Sequence, residues 1–179
     1  MATYLQILKE GSTISAINPS PLELVRSPTL MLAFGFGSGL SRLAPGTVGT
    51  IAAIPLWWLL TQLSPPLYLA TVLVAAIIGV SICGRAAEQM GVHDHGGIVW
   101  DEFVGFWITM AFLPISPVSL MLGFCLFRLF DIWKPWPISW LDKNMSGGLG
   151  IMIDDIVAGL TAGGLGWLLQ AYVIGNLWR

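Results

Sequence analysis

The stretch LAPGTVGTIAAIPLWWLLTQLSPPLYLATVLVAAIIGVSICG, residues 43–84, contains no Asp, Glu, Lys or Arg. Its 42 residues are too many for one bilayer crossing of about 20 residues, and suit two crossings joined at Ser64-Pro65-Pro66. Two further stretches, Phe103 to Phe127 and Ile156 to Trp178, are also free of these residues. The ionisable groups are thereby crowded into short clusters between apolar runs. This pattern predicts an all-α fold, a polytopic helical membrane bundle with about five crossings.

Composition agrees. Hydrophobic residues make up 55% and charged residues 10% of the chain, against roughly 25% charged in soluble domains. The 179 residues suffice for one bundle, and neither a repeat nor a low-complexity linker divides them. We expect an N-terminal cytoplasmic segment over 1–27 and one membrane-embedded domain over 28–179. Lys9 and Glu10 precede polar Gly11-Ser12-Thr13, so no secretory leader is expected and the first crossing directs insertion. A net charge of −2 without a basic stripe argues against nucleic acid as a partner. Cys83 and Cys125 show no metal-ligand spacing and read as inert, buried thiols. A Cys-x5-Arg nucleophile would need Arg at 89 or 131, where Gln89 and Asp131 stand.

The expected crossings are 47–63, 67–84, 98–113, 118–133 and 150–175. Pro114 and Pro117 impose a reversal, because proline lacks an amide donor and disfavours helix in the residue before it. Residues 98–133 therefore read as a hairpin. Sixteen residues span roughly 24 Å, less than the roughly 30 Å of hydrocarbon, so Asp101 and Glu102 at one end and Arg128 and Asp131 at the other lie partly submerged near one face. This hairpin puts Lys9, Arg26, Arg42, Arg85, Arg128, Lys134 and Lys143 on the cytoplasmic side and leaves Arg179 outside, as the positive-inside rule favours. Segment 28–41 is apolar but short, and reads as interfacial or re-entrant.

In this arrangement Asp94, Asp101, Glu102, Asp131, Asp154 and Asp155 gather on one side. Either neighbouring cations or a divalent metal must neutralise them, and oxygen ligands suit magnesium. Asp155 shares a helix face with Gly159, Ala162, Gly163 and Gly166, which points it into the bundle, whereas Asp154 lies about 100° around. Asp101 stacks over Gly105 and Thr109 and is a better inward candidate than Glu102, which aligns with Phe106. Arg128, Asp131 and Lys134 recur at three-residue steps. They form either an internal ion-pair ladder or a division of labour, with Asp131 on metal and Arg128 on an anion. His93 and His95, in a Gly-flanked loop, read either as solvated or structural residues or as proton carriers. The glycines of 35–39 and 46–49 flank Arg42 and either admit an anion to backbone amides or allow close helix packing. They match neither a dinucleotide fingerprint nor a P-loop. The tryptophans read as belt anchors and core packing.

Four segments together carry a resemblance: GFGSGLSRLAPGTVGT at 35–50, MGVHDHGGIVWDEFVG at 90–105, FRLFDIWKPWPI at 127–138 and GGLGIMIDDIVAG at 147–159. With them the chain resembles the phosphatidylglycerophosphatase A family of bacterial membrane lipid phosphatases. The resemblance implies magnesium-dependent removal of the terminal phosphate of phosphatidylglycerophosphate at the cytoplasmic face of the inner membrane. On that basis Asp101, Asp131 and Asp155 are the expected leading metal ligands, with Glu102 and Asp154 either completing the shell or positioning water. Arg42, Arg128, Lys134, Ser38 and Thr47 are expected to bind substrate, and His95 or His93 to protonate the departing glycerol oxygen. The rival classes are a small membrane transporter, whose polar groups would sit nearer the bilayer midplane, and a noncatalytic membrane scaffold.

Overall fold

The computed structural model describes residues 18–92 and 95–177. His93 and Asp94, the greater part of segment 1–27, and Arg179 lie outside the described residues. Among the described residues every regular element is helical. Two short helices, α1 (Pro21–Arg26) and α2 (Pro28–Ala33), lead into a 3-10 turn over Gly35–Leu40. The longer helices follow as α3 (Pro45–Leu60), α4 (Pro65–Met90), α5 (Trp100–Met110) and α6 (Pro117–Trp133). A short α7 (Ile138–Asn144) then precedes the long α8 (Gly147–Leu177).

Element ends follow local chemistry. Ser20 and Glu23 form a reciprocal capping box on α1, satisfying amides that the first helical turn leaves unpaired. Ser64 with Pro65 starts α4, and Gly91, at φ +67°, ends it in the left-handed conformation glycine tolerates. Ser116 caps α6 by accepting from the Ser119 amide, and Pro117 occupies the first turn. The five expected crossings correspond to α3, α4, α5, α6 and α8.

Their lengths are uneven. Among the described residues, only α4 (Pro65–Met90) and the Gly147–Tyr172 portion of α8 are long and apolar enough to cross a membrane by themselves. The 11 residues of α5 reach about 16 Å, because Pro114, Pro117 and the intervening turn end the helical run early. The all-helical fold stands, with two helices of full crossing length among the described residues. Segment 28–41 is also resolved differently from a crossing. Its 3-10 turn folds against residues 95–99: Val99 N donates to Ala33 O at 2.8 Å, and Phe34 is fully buried. A Cβ on Gly39 would run into the Gly97 backbone, so the segment can seat itself as a cap over the start of α5.

The long α8 is the hub. Its closest seam is with α5, where Gly159 lies against the Gly105 backbone and Gly163 against Phe112 and the Thr109 carbonyl. Thr109 Oγ1 sits 3.0 Å from Gly105 O and 3.2 Å from Gly159 O, so its hydroxyl is satisfied inside the seam. Small residues here let two backbones approach. Indole and phenol groups tie the other helices in: Trp107 Nε1 donates to Ala53 O at 3.1 Å, Trp100 Nε1 to Ala75 O at 3.2 Å and Tyr68 Oη to Trp107 O at 2.6 Å. The outer face of α4 presents Leu67, Leu69, Leu73, Val74, Ile77 and Ile78 to the surroundings, an apolar patch of the kind that marks membrane contact. Cys83 is buried beside Met152, as expected. Cys125 is exposed on α6, which corrects the reading of both thiols as buried: its side of the helix is turned away from α5 and α8.

Candidate functional site

The seam between α5 and α8 decides where the carboxylates go. Asp101 lies one turn before Gly105, and Asp155 one turn before Gly159. The close approach at Gly105 and Gly159 therefore places both acids opposite one another at one end of the seam. Glu102 joins them: one carboxylate oxygen each from Asp101, Glu102 and Asp155 lie within 4.8 Å of one another. Asp101 and Asp155 are buried, at 8% and 3% exposure. The expected face of α8 is borne out by the burial of Gly159, Ala162, Gly163 and Gly166. Asp101 is also the more buried of the α5 pair, as its stacking over Gly105 and Thr109 implied, while the half-buried Glu102 turns toward the start of α3.

That start is built to receive it. Ala44, at φ +46°, begins α3 without a side-chain cap, so amides of the first turn carry no side-chain acceptor. A Cβ on Gly46 would overlap Glu102 Oε1 and lie about 3.0 Å from the Arg128 guanidinium. Glycine at 46 thus keeps α3 against both groups. The sequence offered Gly46 only as part of a glycine-rich run; its neighbours come from helices more than 50 residues away, and no local signal announces them.

Arg128 pairs with Asp131 and lies 3.8 Å from Glu102 Oε1, with its side chain only 12% exposed. The ion-pair ladder is therefore present, and it extends across to α5. Asp131 is thereby held beside Glu102, the two carboxylates sharing Arg128. Lys134 ends α6 in a left-handed turn at φ +44°. Its Nζ reaches Asp142 at 2.5 Å and Asp154 at 2.7 Å. Burial alone would lower the Lys134 amine, but the hydrogen bonds to Asp142 and Asp154 outweigh it and hold the amine above its ordinary value. Asp154 is thus drawn toward Lys134, away from the Asp101, Glu102 and Asp155 group. Asp142 was not singled out in the sequence, where it resembles a solvated helix charge.

The remaining expected residues are distributed less tightly. Arg42 is exposed and makes no ion pair with the described residues. Ser38 spends its hydroxyl on Gly35 O at 2.8 Å, inside the 3-10 turn. Thr47 lies half-buried in the first turn of α3. His95 is buried, accepts from Gly97 N at 3.0 Å and packs against the Phe34 ring at 5.3 Å. His93 lies outside the described residues.

Charge balance sets what this end of the molecule can do. Two cations, Arg128 and Lys134, stand among six carboxylates: Asp101, Glu102, Asp131, Asp142, Asp154 and Asp155. Two unit charges within 4.8 Å repel by about 3 kcal/mol at an effective dielectric near 20. Three such pairs approach the whole net stability of a typical domain, about 5–15 kcal/mol. Glu102 Oε2, Asp154 Oδ1 and Asp155 Oδ1 are moreover buried without a hydrogen-bond partner among the described residues. All-oxygen donors, excess negative charge and orphaned oxygens fit a hard divalent cation such as magnesium.

The family model for phosphatidylglycerophosphatase A matches residues 31–170, a span containing all six carboxylates and both cations. A curated relative from Escherichia coli (strain K12), named phosphatidylglycerophosphatase A, is 52% identical over 153 residues, covering 85% of this chain and 86% of the relative. Another of the same name, from Haemophilus influenzae, is 44% identical over 147 residues, covering 81% of this chain and 90% of the relative. No solved structure matches. With a family match over most of its length and relatives this similar along nearly their whole chains, the protein belongs to the phosphatidylglycerophosphatase A family.

Proposed function

We propose that this chain is a magnesium-dependent lipid phosphatase that hydrolyses phosphatidylglycerophosphate to phosphatidylglycerol and phosphate at the cytoplasmic face of the bacterial inner membrane. The observation that carries the reading is the trio of Asp101, Glu102 and Asp155, brought together by the Gly105–Gly159 seam beside Arg128 and Lys134. The names of the two relatives supply the substrate. The apolar outside of α4 supports a location in lipid.

Asp101, Glu102 and Asp155 would hold the magnesium, with Asp131, which shares Arg128 with Glu102, completing its shell and Asp154 held by Lys134. When bound, the ion would supply Lewis-acid stabilisation of the charge that develops on the phosphoryl oxygens. The chain's own groups do the positioning. Arg128 offers a guanidinium beside Glu102, and Lys134 an ammonium beside Asp154, and these two cations neutralise the terminal phosphate. The uncapped first turn of α3, with Thr47 in it, offers backbone amides to an anion. Arg42, exposed nearby in sequence, meets the incoming headgroup from solvent. His95 protonates the departing glycerol oxygen, the step an H95Q variant tests. The acyl chains stay in the bilayer while the phosphate enters from the interface, and a five-crossing hairpin arrangement would set the charged groups of the site at that one leaflet.

The test is phosphate release by purified protein in mixed detergent and lipid micelles. Phosphatidylglycerophosphate is compared with phosphatidic acid, in magnesium and in excess chelator. Release that is specific to the first lipid and lost with chelator supports the reading. Absence of release from either lipid would sink it, and leave a transporter or scaffold role.

A further inference from the structure

We propose that Asp142 is an exchangeable counter-ion for Lys134, and that it sets how weakly this end of the protein holds phosphate. The proposal rests on the reading above that Lys134 faces the substrate's phosphate. Its structural basis is the unequal pair of acceptors on one ammonium. Asp154 comes from the central helix α8, is 6% exposed and lies 2.7 Å from Lys134 Nζ. Asp142 comes from the seven-residue α7, lies 2.5 Å from the same nitrogen, and keeps 37% of its side chain open to solvent.

The two carboxylates therefore differ in what leaving costs. Asp154 would abandon its cation inside the protein, where its second oxygen already lacks a partner. Asp142 exchanges the ammonium for water at little penalty. An anion arriving from solvent meets Lys134 on the Asp142 side and displaces the carboxylate that can be rehydrated. Lys134, fixed in its left-handed turn at the end of α6 and still held by Asp154, stays in place during the exchange.

Competition of this kind weakens substrate and phosphate product alike. When phosphate departs, Asp142 closes on Lys134 again, so the device favours release over retention. Removing the competitor must then tighten phosphate binding. Damage to a merely structural ion pair would loosen it, so the sign of the change separates the two roles.

The experiment is calorimetric titration of inorganic phosphate into the purified full chain in micelles containing magnesium. The proteins compared are wild type, Asp142→Asn, Asp142→Glu, Lys134→Gln and the D142N/K134Q double variant. Asp142→Asn should bind phosphate about two- to fivefold more tightly, the range expected for loss of a partly exposed ion pair. Asp142→Glu should restore the wild-type constant. Lys134→Gln should weaken binding, and in that background the effect of Asp142→Asn should vanish. Equal or weaker binding by Asp142→Asn would overturn the proposal, as would a gain that persists without Lys134. Phosphate binding in this pattern by a protein that hydrolyses no lipid would leave the counter-ion role standing and remove only the lipid phosphatase reading.

Discussion

Replacing Asp155 by Asn should stabilise the metal-free protein while abolishing most of its response to magnesium. Asp155 shares a cluster no wider than 4.8 Å with Asp101 and Glu102. Its removal deletes two repulsions of about 3 kcal/mol each at an effective dielectric near 20. Side-chain relaxation and solvent screening reduce that sum to about 1–3 kcal/mol. The new amide can also donate to the neighbouring acids, so the buried Asp155 Oδ1, unpartnered in the parent, is replaced by a group with a hydrogen-bond donor. For a chain of this size the gain corresponds to a midpoint rise of about 3–10 °C. Thermal unfolding followed by circular dichroism in chelator reads the first effect. Repetition in magnesium reads the second, because a bound ligand raises the midpoint with the logarithm of its affinity for the folded state. A lower midpoint in chelator together with an undiminished magnesium response would refute the reasoning, since the carboxylate would then be an ordinary structural group.

Three further outcomes follow from the same geometry. Gly159→Val would drive a side chain into the Gly105 backbone; it should cost about 1–3 kcal/mol and, by separating Asp155 from Asp101, lower turnover by more than the loss of folded protein accounts for. Lys134 is raised by its carboxylate partners above the ordinary 10.5, so its contribution to stability is complete below that pH and is lost as the solution is made more alkaline. Lys134→Met should therefore flatten the alkaline limb of the stability profile, which chemical denaturation between pH 8 and 12 would show by about the last two units of that range. Single cysteines at positions 143 and 116, with Cys83 and the exposed Cys125 replaced, should label from opposite sides of a sealed membrane vesicle; labelling from one side would rule out the hairpin of α5 and α6.

Much of the helical layout was legible because charge-free runs and proline positions are local properties. The starts of α4 and α6 fall at Pro65 and Pro117, and the small-residue face of α8 is the face that packs on α5. The same periodicity placed Asp101 and Asp155 inward, where they are found. What failed was long-range or three-dimensional. Segment 28–41 was ambiguous because its apolar content does not reveal that Phe34 is buried beside the 95–99 loop. The neighbours of Glu102, Gly46 and Arg128, were not legible because they lie on other helices. The pairing of Asp154 with Lys134, and with it the place of Asp142, depended on a chain reversal after Trp133 that the prolines announced without giving its direction. Ser38 looked available in the sequence because a hydroxyl within a glycine run gives no sign that it will close its own turn.

The central claim is that acids from α5, α6 and α8 act together on a phosphorylated lipid, and single substitutions measure it most directly. Phosphate release from phosphatidylglycerophosphate at saturating magnesium should fall by about three orders of magnitude or more, on the order of 4 kcal/mol of lost transition-state stabilisation, in each of Asp101→Asn, Asp131→Asn and Asp155→Asn, with circular dichroism showing folded protein. Near wild-type release by all three folded variants would contradict the account.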